Sequence, residues 1–228
     1  MRLTGKKLLI FDLDGTLIDS GLDLAAALND MLSQLGRENF EDETIHTWVG
    51  NGAKDLVLRA LCAKRDIENE SVDEELFLRA LDIFLDSYKR NVCVKTTLYD
   101  GVKESLEILH QKGYLLSIVT NKPLAFVKPI LEILKIERYF SIYLGADSLS
   151  EKKPSPLPLE FVMQKYKIPK TQTVMVGDSK NDIIAAHNAK IDVIGVGYGY
   201  NYGEDISLYN PTLKVESFEE ILEVLDVL

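Results

Sequence analysis

Cysteine is nearly absent. Cys62 and Cys93 stand far apart, outside any Cys-x-x-Cys pair and without neighbouring histidines, which excludes a disulfide framework or a thiolate zinc site and points to a reducing compartment. Histidine is also sparse: His46, His110 and His187 are dispersed, and with no Gly-x-Ser-x-Gly elbow they lend a serine hydrolase no support. No apolar run approaches the ~20 residues of a membrane span. The run Leu8-Leu9-Ile10-Phe11 near the amino terminus is cut by Asp12, too short for the apolar part of a signal peptide, so a cytoplasmic location is expected. Positive charge is in deficit, with 26 Lys plus Arg against 36 Asp plus Glu and a net charge of −10. That balance disfavours a nucleic-acid backbone or an anionic membrane surface as partner.

What is there is an ordinary globular composition, 46% hydrophobic and 27% charged over 228 residues, enough for one large domain or a core with an insertion. Short apolar β-type runs recur at Leu8 to Leu13, Leu115 to Thr120, Ile142 to Gly145, Val174 to Val176, Val193 to Val196 and Leu213 to Val215. Helical patterns fill the intervals, one opening at Asp100-Gly101 and closing at Gly113, and Ser217-Phe218-Glu219-Glu220 reads as a capping box before the last. This alternation predicts an α/β fold: a Rossmann-like, mostly parallel sheet flanked by helices. Pro129 inside the pattern Leu124 to Leu134 predicts a kink or a delayed helix start.

The interval between the first and second runs is too long for a simple connection and predicts an insertion. Leu24, Leu28, Met31 and Leu35 share a helical face ending at Gly36, a second helix covers Ala53 to Lys64, and Ser71 with Glu74 reads as the cap of a third. No strand is expected from Ile18 to about Asn91. The expected division is therefore an α/β core over 1–17 and 92–228 and an all-helical cap over 18–91, inserted at the carboxyl end of the first strand, where ligands of open α/β sheets bind.

The first strand runs into Asp12-Leu13-Asp14-Gly15-Thr16, and the two-residue period of extended chain puts both carboxylates on one side. Solvated loop aspartates are the plainer reading, but a buried parallel strand would leave two like charges crowded at its end. A divalent cation would compensate them. A second cluster, Gly177-Asp178-Ser179-Lys180-Asn181-Asp182, follows another apolar run, and its plainer role is to cap the next helix. Capping and metal binding are compatible, and Asp12, a main-chain carbonyl near Asp14, and Asp178 suit the oxygen ligands that Mg²⁺ prefers. Thr120-Asn121 ends a third strand in a hydroxyl and an amide fit for a phosphate oxygen, though the pair is also a common helix start. Lys152-Lys153-Pro154-Ser155-Pro156 sets a paired cation on a stiff backbone. Gly195-x-Gly197-x-Gly199 lacks the spacing of a nucleotide fingerprint and reads as a loop.

Taken in order, Asp12 to Leu17, Thr120, Lys153 and Gly177 to Asp182 resemble the four motifs of the haloacid dehalogenase superfamily of phosphotransferases. The resemblance covers nearly the whole chain, including the helical insertion, which looks like that superfamily's mobile cap. Within it the sequence is most similar to the phosphoglycolate phosphatases, through Trp48 to Ala53, Lys152 to Leu159 and Gly197 to Gly203. The resemblance implies a magnesium-dependent phosphomonoesterase working through an aspartyl-phosphate, and a small phosphate ester, 2-phosphoglycolate, as substrate.

Its implied catalytic residues are Asp12 as nucleophile, Asp14 as general acid and base, and Thr120 and Lys153 on the transferring oxygens. Mg²⁺ would take Asp12, the Asp14 carbonyl and Asp178, with Asp182 orienting from behind. Thr16, Asn121 and the cap loop Gly50, Asn51 and Gly52 are the expected substrate contacts, the loop offering backbone N–H groups to a carboxylate. Neither nucleic acid nor membrane is expected as partner, and the chain is expected to be a monomer or homodimer. A phosphatase for another small ester, a phosphomutase and a non-catalytic phosphate-binding scaffold stay open as alternatives. A receiver domain is disfavoured by the insertion and the length.

Overall fold

The computed structural model describes residues 2–225 and 227; residues 1, 226 and 228, at the outer ends of the expected core, lie outside the described residues. In chain order the elements are β1 (Leu8–Phe11), β2 (Ile18–Asp19), α1 (Gly21–Gln34), α2 (Asp42–His46), α3 (Ala53–Cys62), α4 (Glu74–Arg90), β3 (Thr97–Leu98), α5 (Val102–Gln111), β4 (Leu115–Val119), α6 (Leu124–Ile133), β5 (Ile142–Leu144), α7 (Leu157–Tyr166), β6 (Thr173–Gly177), α8 (Lys180–Ala189), β7 (Asp192–Val196), β8 (Leu213–Val215) and α9 (Glu220–Val224). Six strands form one parallel sheet in the order β5-β4-β1-β6-β7-β8.

Side-chain alternation builds both faces of this sheet. On β1, Leu9 and Phe11 enter one apolar cluster and Leu8 and Ile10 the other; on β6, Val174 and Val176 oppose Met175 in the same way. One face is covered by α7 and α8 through Leu159, Val162, Ile183 and Ala186. The other carries α5, α6 and α9, and the same cluster runs on without a break into α1, α3 and α4 through Leu28, Met31, Val57, Phe84 and Tyr88. Strands buried on both faces explain why their sequences read as continuous apolar runs.

Several local expectations fail for identifiable reasons. A strand does occur after Ile18: β2 pairs antiparallel with β3 through Ile18–Leu98 and Asp19–Thr97, a ribbon too short to have a period. It joins the two chain crossings between the sheet and the helical segment. Buried Asp23 ties the same place together, accepting hydrogen bonds from the Lys95 N–H and from the Thr96 N–H and hydroxyl. The helix expected from Ser71 is capped two residues later by Asp73, whose carboxylate accepts from the Leu76 N–H at 2.9 Å. Ser217 caps nothing; α9 starts at Glu220, whose carboxylate turns back onto the Glu216 N–H. Pro129 does not delay α6, which starts at Leu124 and buries Phe126, Val127, Ile130 and Leu131 around it. No helix among the described residues is long and apolar enough to cross a membrane.

Candidate active site

Because β4, β1 and β6 are adjacent and parallel, the residues that follow them meet on one edge of the sheet. Those residues are Thr120, Asp12 and Asp178, all buried. Asp12 Oδ1 accepts from the Leu13 N–H at 2.7 Å and lies 3.0 Å from Lys153 Nζ. The same ammonium donates to Asp182 Oδ1 at 2.6 Å, and both side chains of that pair are fully buried. Asp182 Oδ2 in turn takes the Ser179 N–H and hydroxyl at 3.0 and 2.8 Å, so Asp182 caps α8 and anchors Lys153 at once.

Asp178 is held from three sides. Thr16 donates its hydroxyl to Oδ1 at 3.0 Å and Tyr200 its N–H to Oδ2 at 2.8 Å. Two glycines close on it: a Cβ on Gly15 (φ +83°) would fall 2.2 Å from Asp178 Oδ2, and one on Gly199 would fall 2.1 Å from Asp178 Cβ. Only residues without side chains let the backbone come this near.

Charge in this cluster is out of balance. Carboxylate oxygens of Asp12, Asp178 and Asp182 lie within 4.8 Å of one another, and the ammonium of Lys153 is the counter-charge buried among them. Burial, then the neighbouring Asp182 charge, push Asp12 up to about 8 against the opposing pull of Lys153. Burial and Asp182 likewise push Asp178 up to about 7. A hard divalent cation with oxygen ligands would remove that repulsion, and the donor set fits one.

In front of the cluster a cavity is lined by Asp12, Asp14, Thr120, Asn121, Gly50 and Gly52 together with Lys122 and apolar walls. Asp14 turns its carboxylate to Lys122 Nζ, at 2.8 and 3.1 Å from its two oxygens, and accepts the Ser20 hydroxyl as well. The cap loop closes over the opening. Its Gly50 carbonyl accepts from Asn181 Nδ2 at 3.2 Å and Asn121 Nδ2 at 3.4 Å, and its Asn51 carbonyl accepts from Lys152 Nζ at 2.6 Å.

Of the expected substrate contacts, Asn121, Gly50 and Gly52 reach the cavity and two do not. Thr16 is spent on Asp178, behind the reacting edge. The Asn51 side chain turns away to Arg59 Nη2 at 2.8 Å, because that guanidinium also takes the Trp48 carbonyl and fixes the loop from the helical side. The loop therefore shows the sheet domain a carbonyl at Gly50. Sequence reasoning missed Lys122, Tyr88 on α4, and Tyr200. A loop lysine and a helical tyrosine carry no local mark of function, and only the repeated Gly-Tyr of Gly197 to Gly203 flagged the third.

A family model for haloacid dehalogenase-like hydrolases matches residues 9–196. The chain is 49% identical over 222 residues to a phosphoglycolate phosphatase of Colwellia psychrerythraea, covering 97% of this chain and 98% of that one. A phosphoglycolate phosphatase of Psychrobacter arcticus is 45% identical, with 96% of both chains covered. Among solved structures, a predicted phosphoglycolate phosphatase from Haemophilus somnus superposes with a TM-score of 0.91 at 40% identity, covering 97% of this chain and 99% of that one.

Proposed function

The chain belongs to the haloacid dehalogenase-like hydrolases, and from that premise we propose that it is a phosphoric monoester hydrolase that releases glycolate and inorganic phosphate from 2-phosphoglycolate. We divide it into a core over 1–17 and 92–228 and a cap over 18–91. The observation that carries the reading is the buried edge where Asp12, gripped by Lys153, faces a cavity shared with Asp14 and Thr120. Relatives named phosphoglycolate phosphatase over nearly the full length support the substrate.

A carboxylate oxygen of Asp12 attacks phosphorus, the ester P–O bond breaks, and the phosphoryl group passes to Asp12 as an aspartyl-phosphate. Asp14 gives its proton to the departing glycolate oxygen. It then takes a proton from the water that attacks the aspartyl-phosphate, which frees inorganic phosphate and restores Asp12. Lys153 and Thr120 hold the non-bridging oxygens, and Asp182 fixes Lys153 from the side opposite Asp12. Asp12, the Asp14 main-chain carbonyl and Asp178 are the residues that would hold the cation, for which we propose Mg²⁺. When bound it neutralises the charge of nucleophile and phosphate so that two anions can meet. Closing the cap loop excludes bulk water from the phosphoryl group, which favours transfer to one admitted water over side reactions. The unpaired cysteines suit the cytoplasm.

The test is phosphate release from a panel of small phosphomonoesters by purified protein with Mg²⁺, alongside Asp12→Asn. Phosphoglycolate is expected to give the highest kcat/KM, and Asp12→Asn to lose about 10³-fold or more. Substantial activity in Asp12→Asn would remove Asp12 as nucleophile, and release from none of the esters would leave a phosphate-binding scaffold.

A further inference from the structure

Lys122 is the pocket residue that this chemistry leaves without a task. Its side chain is 3% exposed, rare for a lysine in a loop. Burial opposes its charge, yet Asp14 and Tyr88 beside it raise its pKa above the ordinary lysine value, so it is an ammonium. Its Nζ engages both oxygens of Asp14 and sits 4.7 Å from the ring centroid of Tyr88. With Ser20 also on Oδ1, both oxygens of the Asp14 carboxylate are engaged.

Beyond the reacting groups the cavity is apolar, walled by Leu24, Val49, Leu56, Phe84 and Phe126. Within it the Tyr88 hydroxyl is buried and has no acceptor for its proton among the described residues, since the Lys122 ammonium beside it can only donate. Burial pushes that phenol up to about 12, which keeps it protonated and a donor. A buried hydroxyl with nothing to donate to costs free energy unless a ligand completes it. An ammonium from the core loop and an idle phenol from cap helix α4 thus converge in an apolar cavity beside the phosphoryl site. That is a receptor for a small anion.

We propose that Lys122 and Tyr88 bind the carboxylate of the substrate, and that this draws Lys122 off Asp14 and frees Asp14 to turn to the leaving-group oxygen. The inference rests on the phosphoglycolate reading and names what recognises the far end of that substrate. The exchange is one carboxylate for another on the same ammonium, so Lys122 stays paired, and Asp14, released from it, takes up a proton from solvent, which is the proton it then gives to the leaving oxygen. An ester without a carboxylate leaves Lys122 on Asp14 and Tyr88 unsatisfied. Selectivity is therefore expressed in kcat as well as KM, because binding energy at the remote end completes the catalytic arrangement. The carboxylate also bridges cap and core, holding the two together during transfer.

The experiment compares 2-phosphoglycolate with 2-hydroxyethyl phosphate, its neutral counterpart, at saturating Mg²⁺. Wild type is expected to favour phosphoglycolate by about 100-fold or more in kcat/KM, and Lys122→Met to bring the ratio within about threefold of unity. Tyr88→Phe should lower the ratio about tenfold, chiefly through KM. An unchanged ratio in Lys122→Met overturns the proposal. Should that variant not fold, wild type alone decides it: formate added to reactions on 2-hydroxyethyl phosphate supplies the carboxylate in trans. A saturable rise in kcat of about threefold or more, absent with chloride at equal ionic strength, supports release of Asp14; no rise, or inhibition only, overturns it. If wild type hydrolyses other esters but not phosphoglycolate, the substrate reading fails, while the formate response still reports on Asp14.

Discussion

Gly199→Ala tests whether packing against Asp178 builds the cation site. The added Cβ would fall 2.1 Å from Asp178 Cβ and 2.4 Å from the Gly15 carbonyl oxygen. Carbon atoms rest about 3.5 Å apart or more, so relief demands a displacement of more than about 1 Å. The backbone at Gly199 is not in the left-handed region, so alanine adds no conformational strain and the clash is the whole perturbation. It cannot be absorbed freely, because the Gly15 backbone also stands against the added atom and the Tyr200 N–H on Asp178 Oδ2 belongs to the next residue of the same loop. Either Asp178 moves or its hydrogen bond breaks. Disturbing such a supporting contact costs about 10- to 100-fold in metal affinity, and a shift of about 1 Å at the reacting groups costs about 10²-fold in rate. We expect Mg²⁺ affinity by calorimetry to fall about 30-fold, roughly 2 kcal/mol, with partial recovery of kcat at high Mg²⁺. Circular dichroism and Tm must show the variant folded. A folded Gly199→Ala with unaltered Mg²⁺ affinity would refute the reasoning, since the loop would then yield without disturbing Asp178.

Asp178→Ala should weaken Mg²⁺ by about 100-fold or more while thermal stability of the metal-free protein holds or rises, because one buried like charge is gone; unchanged affinity would take Asp178 out of the ligand set. The pH dependence has a defined sign. With Asp12 raised to about 8 and Asp178 to about 7 from an unfolded value of 3.8, the native state holds more protons than the unfolded state between those values. Metal-free stability therefore falls as pH rises through that window. Cation binding needs the ionised forms, so the Tm increment from MgCl₂ is expected to grow from about pH 5 to about pH 8; an increment equal at both ends would contradict a site built on these two carboxylates.

That Asp12, Thr120, Lys153 and Asp178 meet at one edge is legible in the sequence because each motif is local and the topology does the assembling. An apolar run that ends in an acid or a hydroxyl states its own direction, and parallel strands bring those ends together whatever lies between them. The same logic explains the failures. Caps at Ser71 and Ser217 matched the spacing of a capping box, yet Asp73 and Glu219 hold those positions, since acceptors stand close together in both stretches and local pattern cannot rank them. Pro129 was read from its cost alone; the apolar face around it in α6 outweighs one missing hydrogen bond. Lys122 and Tyr88 come from distant parts of the chain, and each has a meaning only once the other is beside it.

One regularity ties closure of the cap to the chemistry. Each of three core motifs contributes a reacting or supporting residue and, next to it, a residue that grips the cap loop. Thr120 faces the cavity while Asn121 holds the Gly50 carbonyl; Lys153 grips Asp12 while Lys152 holds the Asn51 carbonyl. Asp182 anchors Lys153 while Asn181 holds Gly50. Neighbouring residues share one backbone, so the loop cannot lift without releasing strain or freedom at the site, and the site cannot be correctly set without offering its grips to the loop. The cap loop answers with main-chain carbonyls, whose positions depend on backbone shape rather than side-chain identity. Its glycines then serve approach: a Cβ on Gly52 would fall 2.6 Å from the Asn121 carbonyl oxygen and hold the loop off the core. If Lys122 and Tyr88 bind the substrate carboxylate as we propose, they take the role expected of Gly50 and Gly52, and the loop keeps the task of excluding water behind them.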